Sequence, residues 1–229
     1  MHWLDEMPLR SSSLRSLGAT ANAFANESFM DELAAAAGSD PLDFRLRHLD
    51  DPRARAVLAA AAERAGWGTT LPSGEGLGLA FARYENDEAY VATVAHARVD
   101  ETTGAVRLLR VVVAHDCGLI VNPDGLRNQI EGNIIQGASR ALKEAVQFAG
   151  AEITSLDWST YPILTFSEIP DIEIILIDHP EEKAVGAGEP TTITIAPAIA
   201  NAIYAATGAR IREVPFTPAR VREAFAVRS

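Results

Sequence analysis

Across 229 residues the sequence holds a single cysteine, Cys117. An intrachain disulfide is impossible, as is a four-cysteine zinc or iron–sulfur site built from this chain alone. Basic residues are scarce: 20 Lys and Arg stand against 31 Asp and Glu, for a net charge of −11. Such a chain repels a phosphate backbone or an anionic membrane surface, which argues against nucleic-acid partners and against docking on acidic lipid. No apolar run approaches the roughly 18–20 residues that a spanning helix needs, so membrane insertion is not expected. The opening residues Met1-His2-Trp3-Leu4-Asp5-Glu6 have neither a basic stretch nor an apolar core. No signal peptide is therefore expected, and the expected location is cytoplasmic, with export alongside a partner left open. A Gly-x-Ser-x-Gly elbow and a Walker loop are both missing, which removes the commonest acyl- and phosphoryl-transfer signatures. No His-x-x-x-His or Cys-x-x-Cys pair occurs, so no metal ligands are expected from this chain. His115, Asp116 and Cys117 are metal-like by type, but they are consecutive on a strand end and read as structural.

What is present is an ordinary globular composition, 48% hydrophobic and 22% charged, on a chain long enough to bury a core without staples. No repeat, low-complexity tract or linker divides it, so residues 1–229 read as one unit. A helical segment is expected over about 20–66. In it Phe29, Leu33 and Ala37, with Met30 and Ala34, form an i, i+4 stripe, and Gly38 is placed to end the helix. Asp40-Pro41 and Asp51-Pro52 each start a further helix, with Asp as N-cap and Pro at the first position. Phe44 and Leu49 are the expected buried face of the first of these. A strand meander is expected over about 75–116, antiparallel with one face covered. Val91, Thr93, Ala95, Ala97 and Val99 alternate along it, and a Gly-containing turn follows. A long helix is expected over about 123–147, with Leu126, Ile130, Ile134, Ala138 and Leu142 repeating every four residues. A Pro-punctuated loop around Trp158, Tyr161 and Pro162 leads to a strand over Ile172–Ile177. A Gly–Glu turn and the final helices occupy about 180–225. The whole is an α+β fold, an antiparallel or mixed sheet packed with helices.

Three features of this plan could carry chemistry. Glu189 sits in the Gly-rich turn Gly186-Ala187-Gly188-Glu189-Pro190, where its neighbours add little bulk and a ligand can approach closely. In an apolar pocket it would suit a general base; a capping or solvated glutamate is the plain alternative. The same turn invites a dinucleotide-binding reading, but Thr191 replaces the third glycine, Pro190 removes a backbone N–H, and no parallel βαβ unit is evident. The second feature lies on the long helix. Gln129 and Gln136, seven apart, project within about 20° of each other, with Gly132 and Gly137 beside them. The strip offers amides to a polar ligand over a backbone that something approaches closely, or it is a helix–helix contact. The third is Arg15, inside the small-residue segment Ser11 to Ala19.

Together these stretches resemble the molybdenum-binding large subunit of the xanthine dehydrogenase / aldehyde oxidase family, and most of all its isoquinoline 1-oxidoreductase-like branch. The resemblance rests on four segments in the family's order: Leu14-Arg15-Ser16-Leu17-Gly18-Ala19 with Phe24 to Ala34; Asp116-Cys117-Gly118 with Asn122-Pro123; Gln129-Ile130-Glu131-Gly132 with Gln136-Gly137; and Gly186 to Pro190 with Ala196 to Ile203. It implies a molybdopterin-binding domain and a molybdenum hydroxylase. Such an enzyme oxidises a C–H bond of an aldehyde or N-heteroaromatic substrate with water as oxygen source. The cofactor is molybdopterin with molybdenum, often in its cytosine dinucleotide form. By this resemblance Glu189 is the general base. Arg15, Leu17, Gly18, Ala19, Gln136, Gly137, Gly186 and Gly188 lie on the cofactor side. Leu17 and Ala19 depart from the Phe-Gly-Gly loop of other members. The family's large subunit is much longer, and this chain resembles its carboxy-terminal part only. The rest of that subunit, on another chain, is then an expected partner. So is an iron–sulfur or cytochrome electron-transfer subunit, which would carry the clusters or haem that one cysteine cannot hold. A non-catalytic scaffold within such a complex is the alternative.

Overall fold

The computed structural model describes residues 13–227. Ser11, Ser12 and the opening stretch Met1 to Glu6, which bore on the sequence reading, lie outside them. In chain order the elements are helices α1 (Ala19–Ala36), α2 (Pro41–Arg47) and α3 (Pro52–Ala65), then strands β1 (Glu75–Arg83), β2 (Tyr90–Val99) and β3 (Val106–Asp116). Helix α4 (Pro123–Leu142) follows, then a short hairpin of β4 (Phe148–Ala149) and β5 (Glu152–Ile153), strand β6 (Asp171–Ile177), and helices α5 (Thr192–Thr207) and α6 (Pro218–Ala226).

The local signals act as their chemistry requires. Asp40 accepts from the Leu42 and Asp43 N–H groups and Asp51 from those of Arg53 and Ala54, each ahead of a proline that has no N–H to satisfy. Asn122 caps α4 through the Gly125 N–H. Gly66 and Gly208 close α3 and α5 in the left-handed conformation, at φ 72° and 74°.

The main sheet runs β1-β2-β3-β6, antiparallel through the first three strands, with β6 parallel to β3. Helix α4 lies between β3 and β6 in sequence, so a parallel β3–α4–β6 crossover exists where none was evident from the sequence. Both faces of the sheet are covered, not one. Val91, Ala95, Val111 and Val113 pack with α4 and α5; Ala92, Val94 and Ala114 pack with α3. The sequence pattern missed this because Ala92 and Val94, which lie between the residues of the alternating set on β2, are as buried as that set. β1 lies almost on the backbone of α5. A methyl at Gly76 or Gly78 would fall 2.4 Å from the Ala202 carbonyl oxygen or 2.1 Å from that of Ala198, so only glycine permits this approach.

Two further expectations need correcting. Much of the apolar stripe of α1 points outward: Phe29 and Leu33 are 58% and 38% exposed, and of the stripe only Ala34 is buried, together with Glu27, Ser28 and Asp31. The buried face is ionic. Arg45 donates to Glu27 at 3.0 Å, and Arg210 meets Asp31 at 2.6 Å. Likewise in α2 the fully buried side chain is Arg45, with Phe44 and Leu49 only half-buried. Helix α4 also ends at Leu142, short of 147, where the Phe216 N–H takes the Ala141 carbonyl at 2.7 Å and the chain turns off toward the β4–β5 hairpin.

Candidate active site

Three connections converge at one edge of the fold: the loop before α1, the link between β1 and β2, and the turn before α5. The link is a short helical turn, Tyr84–Asn86, in which Glu85 and Asn86 take φ of 48° and 67°. The first loop holds Ser16 and Leu17 at φ 71° and 50°. Non-glycine residues in this region cost on the order of 1–3 kcal/mol each and persist only where surrounding contacts fix them. Here the contacts lead to one carboxylate. The Ser16 N–H donates to Glu189 Oε2 at 2.7 Å, and the Ser16 hydroxyl donates to the Glu189 carbonyl at 2.7 Å. The Tyr84 hydroxyl donates to Glu189 Oε1 at 2.9 Å. Burial, with the Glu189 carboxylate beside it, holds the Tyr84 phenol well above its usual range, so it remains a donor.

Arg15 crosses this turn. Its Nε donates to the Gly188 carbonyl at 2.8 Å, and one terminal nitrogen donates to Gln129 Oε1 at 2.7 Å. The other terminal nitrogen lies 3.5 Å from Gln136 Oε1. A methyl at Gly132 would come within 3.6 Å of the same guanidinium. The amide-and-glycine strip of α4 is therefore bridged by Arg15 of this chain, with the glutamine oxygens as acceptors. Asn133, fully buried, donates to the Gly188 carbonyl at 3.2 Å and accepts from the Thr192 hydroxyl, tying the turn to α4 and α5. Glu88 accepts from the Gly186 N–H at 2.8 Å, and the Val185 N–H donates to the Cys117 carbonyl at 3.0 Å.

These groups line a cleft of about 540 Å³, formed by Arg15, Tyr84, Glu85, Glu88, Gln129, Gly186, Gly188 and Glu189. The side chains that line it are mostly charged or polar, and three of them, Tyr84, Glu85 and Glu88, come from the β1–β2 link, whose contribution was not foreseen. Leu17 and Gly18, which follow Ser16 in the loop, are exposed, and nothing lies within 4 Å of a methyl placed on Gly18. Ala19, half-buried, opens α1 beside them. Gly137 differs from the other glycines of the site. A methyl there would meet Ile195 of α5 at 3.0 Å, so the close approach it allows is helix packing.

Sequence reasoning did not find Tyr84, Ser16, Glu85, Glu88 or Asn133. The one available signal was the polar run Tyr84-Glu85-Asn86-Asp87-Glu88 between two strands, with Asn and Asp as turn formers. His115, Asp116 and Cys117 lie behind the turn. Asp116 is held by two hydrogen bonds from Arg53, at 2.8 and 2.6 Å, and by the Gly118 N–H. Among the described residues no group of three or more His, Cys, Asp or Glu side chains could hold a metal ion.

Comparison with known proteins places the chain in a family. A molybdopterin cofactor-binding domain model matches residues 11–170. The chain belongs to that family. It is 47% identical to a nicotinate dehydrogenase subunit of Pseudomonas putida over 96% of this chain and 20% of the relative. It is 37% identical to the beta subunit of isoquinoline 1-oxidoreductase of Brevundimonas diminuta over 90% of this chain and 26% of the relative. The aldehyde oxidoreductase of Desulfovibrio gigas shares its fold, with a TM-score of 0.79 at 18% identity over 94% of this chain and 42% of that one. This chain thus spans about a fifth to a quarter of the length of these two curated relatives. The match to the family model takes in Arg15, Tyr84, Gln129 and Gln136 and ends before the Glu189 turn. No described helix is long and apolar enough to cross a membrane.

Proposed function

We propose that this chain forms one wall of the active site of a molybdenum hydroxylase and that Glu189 is its general base. The observation that carries the reading is the carboxylate itself: Glu189 is oriented by Tyr84 and by the Ser16 N–H, between glycine-bare backbone and the Arg15 guanidinium, at the edge of a cleft. A general base needs that fixed position before anything else.

The donor set fits a large, polar, phosphate-bearing cofactor. Arg15 is a cation on the cleft wall. Gln129 and Gln136 accept from it through oxygen, which leaves each amide NH2 as a donor to a ligand. Gly18 and Gly188 present bare backbone on the same side. In this reading Arg15, Gln136, Leu17, Gly18, Ala19, Gly186 and Gly188 border molybdopterin, and Gly137 supports them through α5. When bound, that cofactor supplies the oxygen-transfer and two-electron chemistry. The chain's own residues position the substrate carbon, exclude water, and accept a proton at the free lone pairs of Glu189. The two curated relatives are named for nicotinate and isoquinoline, which favours an N-heteroaromatic substrate over an aldehyde. Electrons would leave through an iron–sulfur or cytochrome partner, and the rest of the molybdenum subunit would close the cleft. The proposal extends to the cytosine dinucleotide form of the cofactor, on the family resemblance alone, and to assembly in the cytoplasm.

The test is Glu189→Gln in the assembled enzyme. Turnover should fall by about 10²–10⁴-fold with molybdenum content unchanged. Activity within ten-fold of wild type at equal loading would reject the assignment.

A further inference from the structure

Resting on that reading, we infer that Tyr84 is a positioning residue for Glu189: its hydroxyl fixes the rotation of the carboxylate and keeps one oxygen committed, so that proton transfer occurs from a single orientation.

The geometry has several independent parts. Tyr84 is buried, with 6% of its surface exposed, yet its hydroxyl reaches Glu189 Oε1 at 2.9 Å. Its backbone is pinned on both sides, since the Tyr84 N–H donates to the Ala89 carbonyl at 3.0 Å and the Glu88 N–H donates to the Tyr84 carbonyl at 2.9 Å. The turn it begins contains two consecutive non-glycine residues at positive φ, Glu85 and Asn86. Glycine would take those two positions at no steric cost, so the non-glycine pair here holds a strained turn, and that turn begins at Tyr84. On the opposite side the Ser16 N–H, itself from a residue at positive φ, takes Oε2. The carboxylate is thus held at both oxygens by donors from two strained turns. Terminal carboxylate torsions are broad, so without such donors the group would sample many rotations. Each oxygen keeps a second lone pair, so holding it does not block proton acceptance.

The charged and titratable groups around Glu189 come from every segment packed on it. Arg15 comes from the first loop, with Arg140 of α4 behind it, and Tyr84, Glu85 and Glu88 come from the β1–β2 link. Of these, Tyr84 is the side chain that donates a hydrogen bond to the carboxylate. A hydrogen bond to a charged carboxylate favours that form, so its loss should let protonation set in at higher pH.

The experiment compares wild type, Tyr84→Phe and Glu189→Gln in the assembled enzyme at matched molybdenum loading, reading kcat, KM and kcat/KM against pH. Tyr84→Phe should lower kcat roughly ten-fold with little change in KM. Its acid limb in kcat/KM should move to higher pH by about half to one unit. Replacing Tyr84 by 3-fluorotyrosine, a stronger donor of nearly the same shape, should move the limb the other way. This second variant decides the matter if Tyr84→Phe fails to assemble. A purely packing role would lower the rate without moving either limb, and unmoved limbs overturn the inference. Should Glu189→Gln remain active, the general-base reading itself falls. An inactive Glu189→Gln with unmoved Tyr84 limbs removes this inference alone.

Discussion

His115 is fully buried on β3, and among the described residues neither of its ring nitrogens has a hydrogen-bond partner. Burial pushes it down to about 4, against the opposing pull of Asp116. The folded chain therefore keeps this ring neutral where the unfolded chain would charge it. The resulting penalty is absent above the ordinary histidine range near pH 6.5 and grows as pH falls from there toward 4. The chain should lose roughly 2 kcal/mol of this contribution between pH 7 and pH 5. His115→Leu should remove that part of the pH dependence, whatever its effect at pH 7. Urea unfolding of both at the two pH values checks this, and parallel pH dependence in the two proteins would refute it. Residue-scale features like this one divide sharply by legibility. Cap residues such as Asp40, Asp51 and Asn122 act within three or four positions and could be read directly. Tyr84 meets Glu189 across 105 positions, and nothing local to it announces the contact.

At the scale of elements, α1 makes the point most clearly. Its apolar stripe suggested the buried face, yet the buried face carries Glu27 and Asp31. These carboxylates are burial-tolerant because Arg45 from α2 and Arg210 beyond α5 reach them, and because the Phe81 N–H donates to Glu27 at 2.8 Å. Burial pushes both carboxyls up, and the guanidiniums oppose it. Periodicity cannot show partners that lie 18 and 179 positions away. Removing one member of such a buried pair strands the other charge. Arg45→Met should destabilise the chain by about 3–5 kcal/mol, and the double variant with Glu27→Gln should recover part of the loss. Chemical denaturation of Arg45→Met, Glu27→Gln and the double variant tests the coupling; strictly additive losses would deny it. The consequence reaches the site, because α1 carries the Arg15–Ser16 loop at its start.

On the scale of the whole molecule, the sheet is a platform with α3 on one face and α4 and α5 on the other. The cleft sits where three connections leave that platform. Its order along the chain was legible because each part has its own signature: small residues around Arg15, amides and glycines on α4, and a Gly–Glu turn before α5. Their convergence was not legible, since it depends on β6 running parallel to β3 and delivering the turn back to α4. The cleft is open, and Leu14, Leu17, Phe29, Trp158 and Phe166 stand exposed around the molecule. In the proposed enzyme the remaining part of the molybdenum subunit completes the enclosure. The proposed function makes one demand of this chain: its cleft wall must hold the cofactor. The most direct measurement is molybdenum and pterin content per assembled complex for wild type and for the Arg15→Leu, Gln136→Leu double variant, with folding checked by circular dichroism. The account predicts that both contents fall together by roughly ten-fold or more, as expected when charge-assisted and amide hydrogen bonds to a ligand are lost. Full loading of a folded double variant would contradict it.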